Sequence, residues 1–419
     1  MEMLKKIRTQ IFLYKQRFAP HKTLITSFLV GILIVLVSTI LFVSLRKKFI
    51  GQEERSAENY TNLGSRFEER DTGITAFEPV ACPGPRTHDE AYYNGKLIDS
   101  HFHLPFTEYR VFDAVNKEFV VDEKGDSDLI TTLGVNVTIP EITCLLDYEG
   151  TDKVFAFIGI ATDYTEKRMG VSRKKTQVEV VKKIITLYPD YFVPFIGMPD
   201  EPRGFQTVNA EELNRALRLE PGLFKGYGEV ALYPSEGVPP LAPNSKRLLE
   251  IYPVVKDHDL VVYFHLGEGQ KDAFREVLRD NPDTNFIFHG DQLIGHEFGY
   301  DLSQIEEIIK NHSNAFYTVD QLYGDVFLLR PEVSKEEFLS HFANYEPLIK
   351  QDLDTWQTLI ERYPDQFMWG TDRGGLLWSI DHEVGWTLAD YSLALIARLD
   401  PAVQENFAYK NAEHLFQNR

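Results

Sequence analysis

From Lys96 onward the chain alternates short apolar runs with longer amphipathic ones. The short runs predict strands over Leu97 to His101, Val154 to Ile160, Phe192 to Gly197, Gly222 to Val230, Leu260 to His265, Asn285 to His289, Ala315 to Val319 and Gln366 to Thr371. The stretches between them predict helices over 177–187, 210–217, 245–258, 270–279, 303–311, 352–362 and 384–399. In the last of these Leu388, Tyr391, Leu395 and Leu399 recur at three- or four-residue steps and so share one face. Short strands alternating with helices are the signature of βα units on a parallel sheet. Eight of them predict a (β/α)8 barrel, with an open doubly wound sheet as the alternative. The connection from the first strand to the second is far longer than the usual few residues. Within it, 126–133 reads as a helix and 135–139 as an extra strand. This insertion either caps the catalytic end of the barrel or decorates its outside.

The amino-terminal part follows a different pattern. Leu24 to Leu45 carries no charge and is bracketed by Lys22 and Arg46. As a helix rising about 1.5 Å per residue it spans roughly 30 Å of hydrocarbon. A signal peptide has an apolar core of about 7 to 15 residues followed by a small-residue cleavage site. Here the run is longer and exits into Arg46-Lys47-Lys48, which reads as an uncleaved transmembrane anchor. The basic residues before it (Lys5, Lys6, Arg8, Lys15, Arg17, Lys22) outnumber those after it (Arg46, Lys47, Lys48, Arg55). That bias favours a cytoplasmic amino terminus and an extracytoplasmic catalytic domain. The expected organisation is a basic segment 1–23, a transmembrane helix 24–45, a polar tether 46–95 broken by Pro79, Pro83 and Pro85, and a barrel 96–419.

Composition narrows the partners. The 419 residues are 43% hydrophobic and 26% charged, ordinary for a globular protein, and the net charge is -19. Gripping nucleic-acid phosphates takes clustered Lys and Arg, so nucleic acid is not an expected partner and a small-molecule substrate is. Cys82 and Cys144 are the only cysteines. They can form a disulfide or remain unpaired packing residues, and two thiols alone cannot build a structural zinc cluster.

The candidate chemistry sits at the ends of the predicted strands. LIDSHFHLP ends in His101-Phe102-His103, and strand alternation points both imidazoles the same way. Three further runs end in a metal-ligand type: LVVYFHLG at His265, NFIFHGD at His289 and FMWGTDRGG at Asp372, while FKGYGEVALY carries Glu229. Carboxyl ends of strands are where a barrel places its catalytic groups. Lys225 lies four residues before Glu229, roughly 13 Å deeper at strand rise, too far to serve the same ions. Arg373 can hold a substrate carboxylate bidentately or pair with a loop acid. Tyr233, Glu268, Asp291 and Asp320 follow strand ends and are secondary candidates for the pocket wall.

His101, His103, Glu229, His265, His289 and Asp372, in this order, resemble the amidohydrolase superfamily. The closing NAEHLF at 411–416 and the GTD at 370–372 look like its amidohydrolase-related branch, and the GEV at 228–230 is closer to TatD-type hydrolases. The resemblance implies one or two divalent ions, zinc first, with manganese or iron as alternatives. His101, His103 and Asp372 would hold the buried ion, His265 the same or a second one, and Glu229 would bridge two ions or hold a water. His289 would be a second-metal ligand or a proton carrier, and Asp372 would take the proton from the attacking water. The function implied is hydrolysis of a small-molecule amide, ester, lactone or phosphoester by a membrane-anchored enzyme. Metal-dependent decarboxylation is the alternative that an Arg373 carboxylate clamp would favour, a TatD-type nuclease is weakened by the acidic charge, and a non-catalytic binding barrel predicts lost ligands.

Overall fold

The computed structural model describes residues 81–416 apart from 83, 85–87, 89–90, 105–107, 114–117, 122–128, 131–137, 170–171, 173, 199–206, 235–238, 291–301, 321, 323–333 and 374–380. The chain divides into two units, Met1–Asp71 and Thr72–Arg419, and every described residue belongs to the second. The expected membrane helix at 24–45 and most of the expected tether lie outside the described residues. Among the described residues no helix is long and apolar enough to cross a membrane.

The strands in chain order are β1 (Ile98–His103), then β2 (Glu108–Asp113), β3 (Glu118–Val121) and β4 (Leu129–Ile130) in the long insertion, then β5 (Lys153–Gly159), β6 (Phe192–Gly197), β7 (Gly226–Ala231), β8 (Val261–His265), β9 (Phe286–His289), β10 (Ala315–Val319) and β11 (Phe367–Trp369). β1 and β5 to β11 form one sheet of eight strands in that order, every pairing parallel. Its two ends meet where Phe102 bridges Arg373 and the His103 amide donates to the Arg373 carbonyl at 2.7 Å. The result is the nearly closed (β/α)8 barrel that the alternating pattern predicts.

The barrel builds two apolar layers, because alternate residues of each strand face opposite ways. Ile98, Phe155, Phe195, Tyr263, Ile287, Phe316 and Met368 fill the lumen. Val154, Ile196, Val262, Phe264, Phe288, Tyr317 and Trp369 face outward against the helices. Those helices are α1 (Ile139–Glu149), α2 (Asp163–Met169), α3 (Lys174–Leu187), α4 (Ala210–Leu217), α5 (Lys246–Asp257), α6 (Lys271–Asp280), α7 (Ser303–Asn311), α8 (Lys335–Phe342), α9 (Glu346–Arg362), α10 (His382–Ile396), α11 (Pro401–Glu405) and α12 (Asn411–His414). Their starts follow from capping residues in the sequence: Asn209, Ser245 and Asp381 each accept a backbone amide of the first turn. α12 explains the closing NAEHLF. Ala412 and Leu415 enter the lumen cluster, and the Asn411 side-chain amide donates to the Pro364 and Phe367 carbonyls at 2.7 and 2.8 Å.

The insertion after β1 departs from expectation. β2 pairs antiparallel with both β3 and β4, so 129–130 is strand and not part of the helix that the pattern predicts over 126–133. Ile139 starts α1 instead of ending a strand, because Thr138 and Glu141 form a reciprocal capping box and Pro140 occupies the first turn. Cys144 on α1 is disulfide-bonded to Cys82, with Cα atoms 5.3 Å apart. Of the two readings of the cysteine pair, the bonded one holds.

Candidate metal centre

β1 delivers its two histidines through an irregularity. Ile98 faces the lumen, so strict alternation would turn Phe102 inward and His101 and His103 outward. Instead the register against β5 shifts between Asp99 and Phe102, which inverts the phase: Phe102 joins the outer layer and both imidazoles enter the lumen. Asp99 holds the irregularity in place by accepting the His101 amide at 2.9 Å, a local side-chain-to-backbone turn. The same carboxylate accepts the Thr371 amide at 3.0 Å and the Thr371 hydroxyl at 2.5 Å, tying β1 to the segment that carries Asp372. Burial raises the Asp99 pKa to about 6 despite those hydrogen bonds.

β7 uses a second irregularity. Its register against β8 shifts between Tyr227 and Val230, and Gly228, at φ 137°, lets Glu229 turn into the lumen. A Cβ on Gly228 would run into the Tyr263 carbonyl. The other strands alternate regularly: Tyr263 and His265 on β8, Ile287 and His289 on β9, and Thr318 on β10 with Asp320 just past its end all face inward. Gly290, at φ 126°, makes room for the His265 ring, since a Cβ there would lie 2.7 Å from His265 Cδ2. Asp372 itself has φ 51°, a left-handed conformation that costs a non-glycine residue energy.

The six candidate ligands converge. His101 Nε2 lies 3.2 Å from both His103 Nε2 and Asp372 Oδ1, and His103 Nε2 lies 3.1 Å from Asp372 Oδ1. Glu229 Oε2 closes this group at 3.3 Å from His103 Nε2 and 3.7 Å from His101 Nε2. Its other oxygen, Oε1, lies 3.0 Å from His265 Nδ1 and 2.7 Å from His289 Nε2. One carboxylate therefore faces two groups of donors. His103 is the exposed member, with 30% of its side chain open, whereas His101 and His289 are sealed.

Asp320 is the residue the site turns on and the one missing from the ligand set. Its Oδ2 accepts from His101 Nδ1 at 2.5 Å and from His289 Nδ1 at 3.0 Å. A carboxylate can only accept, so each neutral ring carries its proton at Nδ1 and presents a bare lone pair at Nε2. The signal for Asp320 was in the alternation of Phe316, Thr318 and Asp320, one step beyond the strand end. Burial lowers the affinity of His101, His103 and His289 for protons, but the surrounding carboxylates outweigh it and raise all three pKa values, His103 to about 10. Burial would raise Glu229 and Asp320, and the imidazoles instead hold both low.

This donor set fits a divalent metal. With their protons displaced, His101, His103 and the Asp372 carboxylate would aim lone pairs at one common point, their ligand atoms standing 3.1 to 3.2 Å apart. Ligands at the zinc distances of about 2.0 to 2.2 Å in a tetrahedron stand roughly 3.3 to 3.6 Å apart, close to these separations. His101, His103, Asp372 and Glu229 would hold one ion, and Glu229, His265 and His289 offer a second position.

Arg373 does not present its guanidinium to this site. Nη1 and Nη2 donate to Glu149 of α1 at 2.8 and 2.5 Å, and both side chains are buried. The substrate-clamp reading of Arg373 is therefore corrected to a structural pair, its partner Glu149 at the end of a helix, because Arg373 falls on the outward phase next to inward Asp372. Lys225 lies at the start of β7, away from the ligands, and lines a cleft of about 450 Å³ at the amino-terminal end of the barrel. Tyr233 packs on the His265 ring, centroids 4.3 Å apart, while Glu268 is exposed and Asp291 lies outside the described residues.

Comparison with known proteins returns the sequence family described as amidohydrolase, matched over residues 172–417, more than half of the chain. No curated protein matches. Among solved structures, the chain is similar to an amidohydrolase from Burkholderia multivorans with bound zinc, at 11% identity over 77% of this chain and 99% of that one, with a TM-score of 0.46. It is similar to a probable 2-pyrone-4,6-dicarboxylic acid hydrolase from Acinetobacter baumannii at 13% identity, with the same coverages and a TM-score of 0.42. A TatD homologue from Escherichia coli K12 aligns at 15% identity over 76% of this chain and 97% of that one, with a TM-score of 0.40.

Proposed function

Since the chain belongs to the amidohydrolase family and is a metal-dependent hydrolase or decarboxylase, we propose that it hydrolyses a small-molecule amide, ester, lactone or phosphoester. The observation that carries this reading is the cluster of imidazole and carboxylate lone pairs around Glu229, open to solvent on the His103 side. A divalent ion bound there supplies a Lewis acid and a water acidified to near neutrality. Nitrogen and carboxylate donors suit zinc best, with manganese or iron as alternatives. Asp372, partly exposed at the mouth, accepts the proton of the attacking water on its carboxylate and returns it to the leaving group. Asp320 holds the Nδ1 proton of His289, so that His289 Nε2 either holds a second ion or carries a proton.

Hydrolysis is preferred to decarboxylation because Arg373, the clamp that decarboxylation would favour, is paired with Glu149 inside the protein. Loss of ligands, which a non-catalytic barrel predicts, has not occurred at any of the six positions. The disulfide between Cys82 and Cys144 supports an exported domain, since such bonds persist in oxidising compartments. With the charge-free run at 24–45, this supports a single-pass membrane protein with its amino terminus in the cytoplasm.

The test is elemental analysis of the purified chain beside Asp372→Ala and His265→Ala, followed by a hydrolytic screen with the metal present. One or two transition ions per chain, fewer in the variants, is the expected result. No ion after refeeding zinc, manganese and iron would overturn the reading.

A further inference from the structure

We infer that the buried Arg373–Glu149 pair is a positioning device for Asp372, acting on the metal centre from outside it. The inference rests on the metal-dependent reading above. Asp372 occupies a left-handed conformation at φ 51°, and the residues on either side of it are anchored. On one side Thr371 gives its amide and its hydroxyl to Asp99. On the other, the Arg373 guanidinium makes its two-pronged bond to Glu149, and its carbon lies 5.3 Å from the centre of the Phe102 ring, the residue between the two metal-facing histidines of β1. The Arg373 carbonyl accepts the His103 amide at 2.7 Å. One arginine thus fixes Asp372 and His103 relative to each other, and these are the two ligands at the mouth of the site.

A buried ion pair is weak evidence for a stabilising role. Removing two charges from water costs more than their attraction returns in many proteins, and well-packed apolar replacements are often neutral or stabilising. Here the surroundings are shaped to admit the ions. Gly385 of α10 packs against them, and a Cβ at that position would strike the Glu149 carboxylate and lie 2.5 Å from Arg373 Nη1. Thr151 gives Glu149 Oε1 a further hydrogen bond at 3.1 Å. A bidentate salt bridge fixes direction as well as distance, which an apolar contact does not.

The experiment compares wild type, the double variant Glu149→Leu/Arg373→Met, and the conservative Arg373→Lys, each as the full chain. Cobalt(II) is the probe, read by titration, by its visible absorption spectrum and by melting temperature. The expected result is a melting temperature within a few degrees of wild type for both variants, with the cobalt(II) dissociation constant raised by about ten- to a hundredfold in the double variant, the scale of outer-shell losses. Arg373→Lys, which keeps the charge and loses the fork, is expected to fall between and to shift the spectrum. Wild-type affinity and spectrum in both variants would overturn the positioning role. So would a double variant that unfolds beside an Arg373→Lys variant of wild-type affinity and spectrum, since the pair would then be structural only. A wild-type chain that takes up no cobalt(II) would sink the metal reading itself.

Discussion

Replacing Cys82 and Cys144 together by serine tests the link between the tether and the barrel. The bond closes a loop whose ends are 62 residues apart in sequence. In the chain-entropy account, opening a loop of this length returns conformational freedom to the unfolded chain worth about 4 kcal/mol at 25 °C. Cys144 is buried on α1 among Ile142, Leu145 and Leu146, so the serine hydroxyl adds a modest packing penalty to that figure. Equilibrium urea denaturation of oxidised protein, reduced protein and the double variant measures the difference. The oxidised form is expected to be more stable by about 4 kcal/mol, with the other two alike. Equal midpoints in all three, or two titratable thiols in protein purified without reductant, would refute the bond and remove the support it lends to export.

Metal uptake should depend on pH in a stated direction. In the metal-free protein the carboxylates raise His101, His103 and His289, His103 to about 10, so the imidazolium–carboxylate pairs stabilise that form below the ordinary histidine pKa and lose the effect as pH rises through the raised values. A metal must displace those protons. Zinc affinity is therefore expected to weaken as the pH is lowered, and calorimetry in buffers of different ionisation enthalpy to show proton release; a buffer-independent heat would contradict this. Gly228→Ala forces a methyl group toward the Tyr263 carbonyl at φ 137°, and should cost at least about 1 to 3 kcal/mol together with most of the bound metal; a variant that melts and binds like wild type would count against the Glu229 geometry. Asp320→Leu removes the acceptor shared by two Nδ1 protons and should weaken metal binding about 10- to 100-fold, whereas Asp320→Asn, whose carbonyl still accepts, should lose less; equal losses would show that charge and not tautomer is what matters.

The sequence by itself determined the barrel and brought its candidate ligands into view. Eight apolar runs at βα spacing can bury their faces in few other ways, and His265, His289 and Asp372 could be read at strand ends because their strands alternate without interruption. For Glu229 and the pair His101 and His103, strand alternation alone does not give the direction of the side chains. Their inward aim depends on register irregularities in β1 and β7, which arise from pairing with neighbouring strands and leave no periodic trace. Only the tertiary structure decided the partners of charged residues far apart in the chain. Arg373 could be known as a bidentate donor from its chemistry, but that it meets Glu149 depends on α1 packing against α10 across more than two hundred residues. Asp320 likewise became an orienting carboxylate only when β1, β9 and β10 brought His101 and His289 to the same oxygen. Periodicity reports which way a side chain faces, and closure of the barrel decides what it faces.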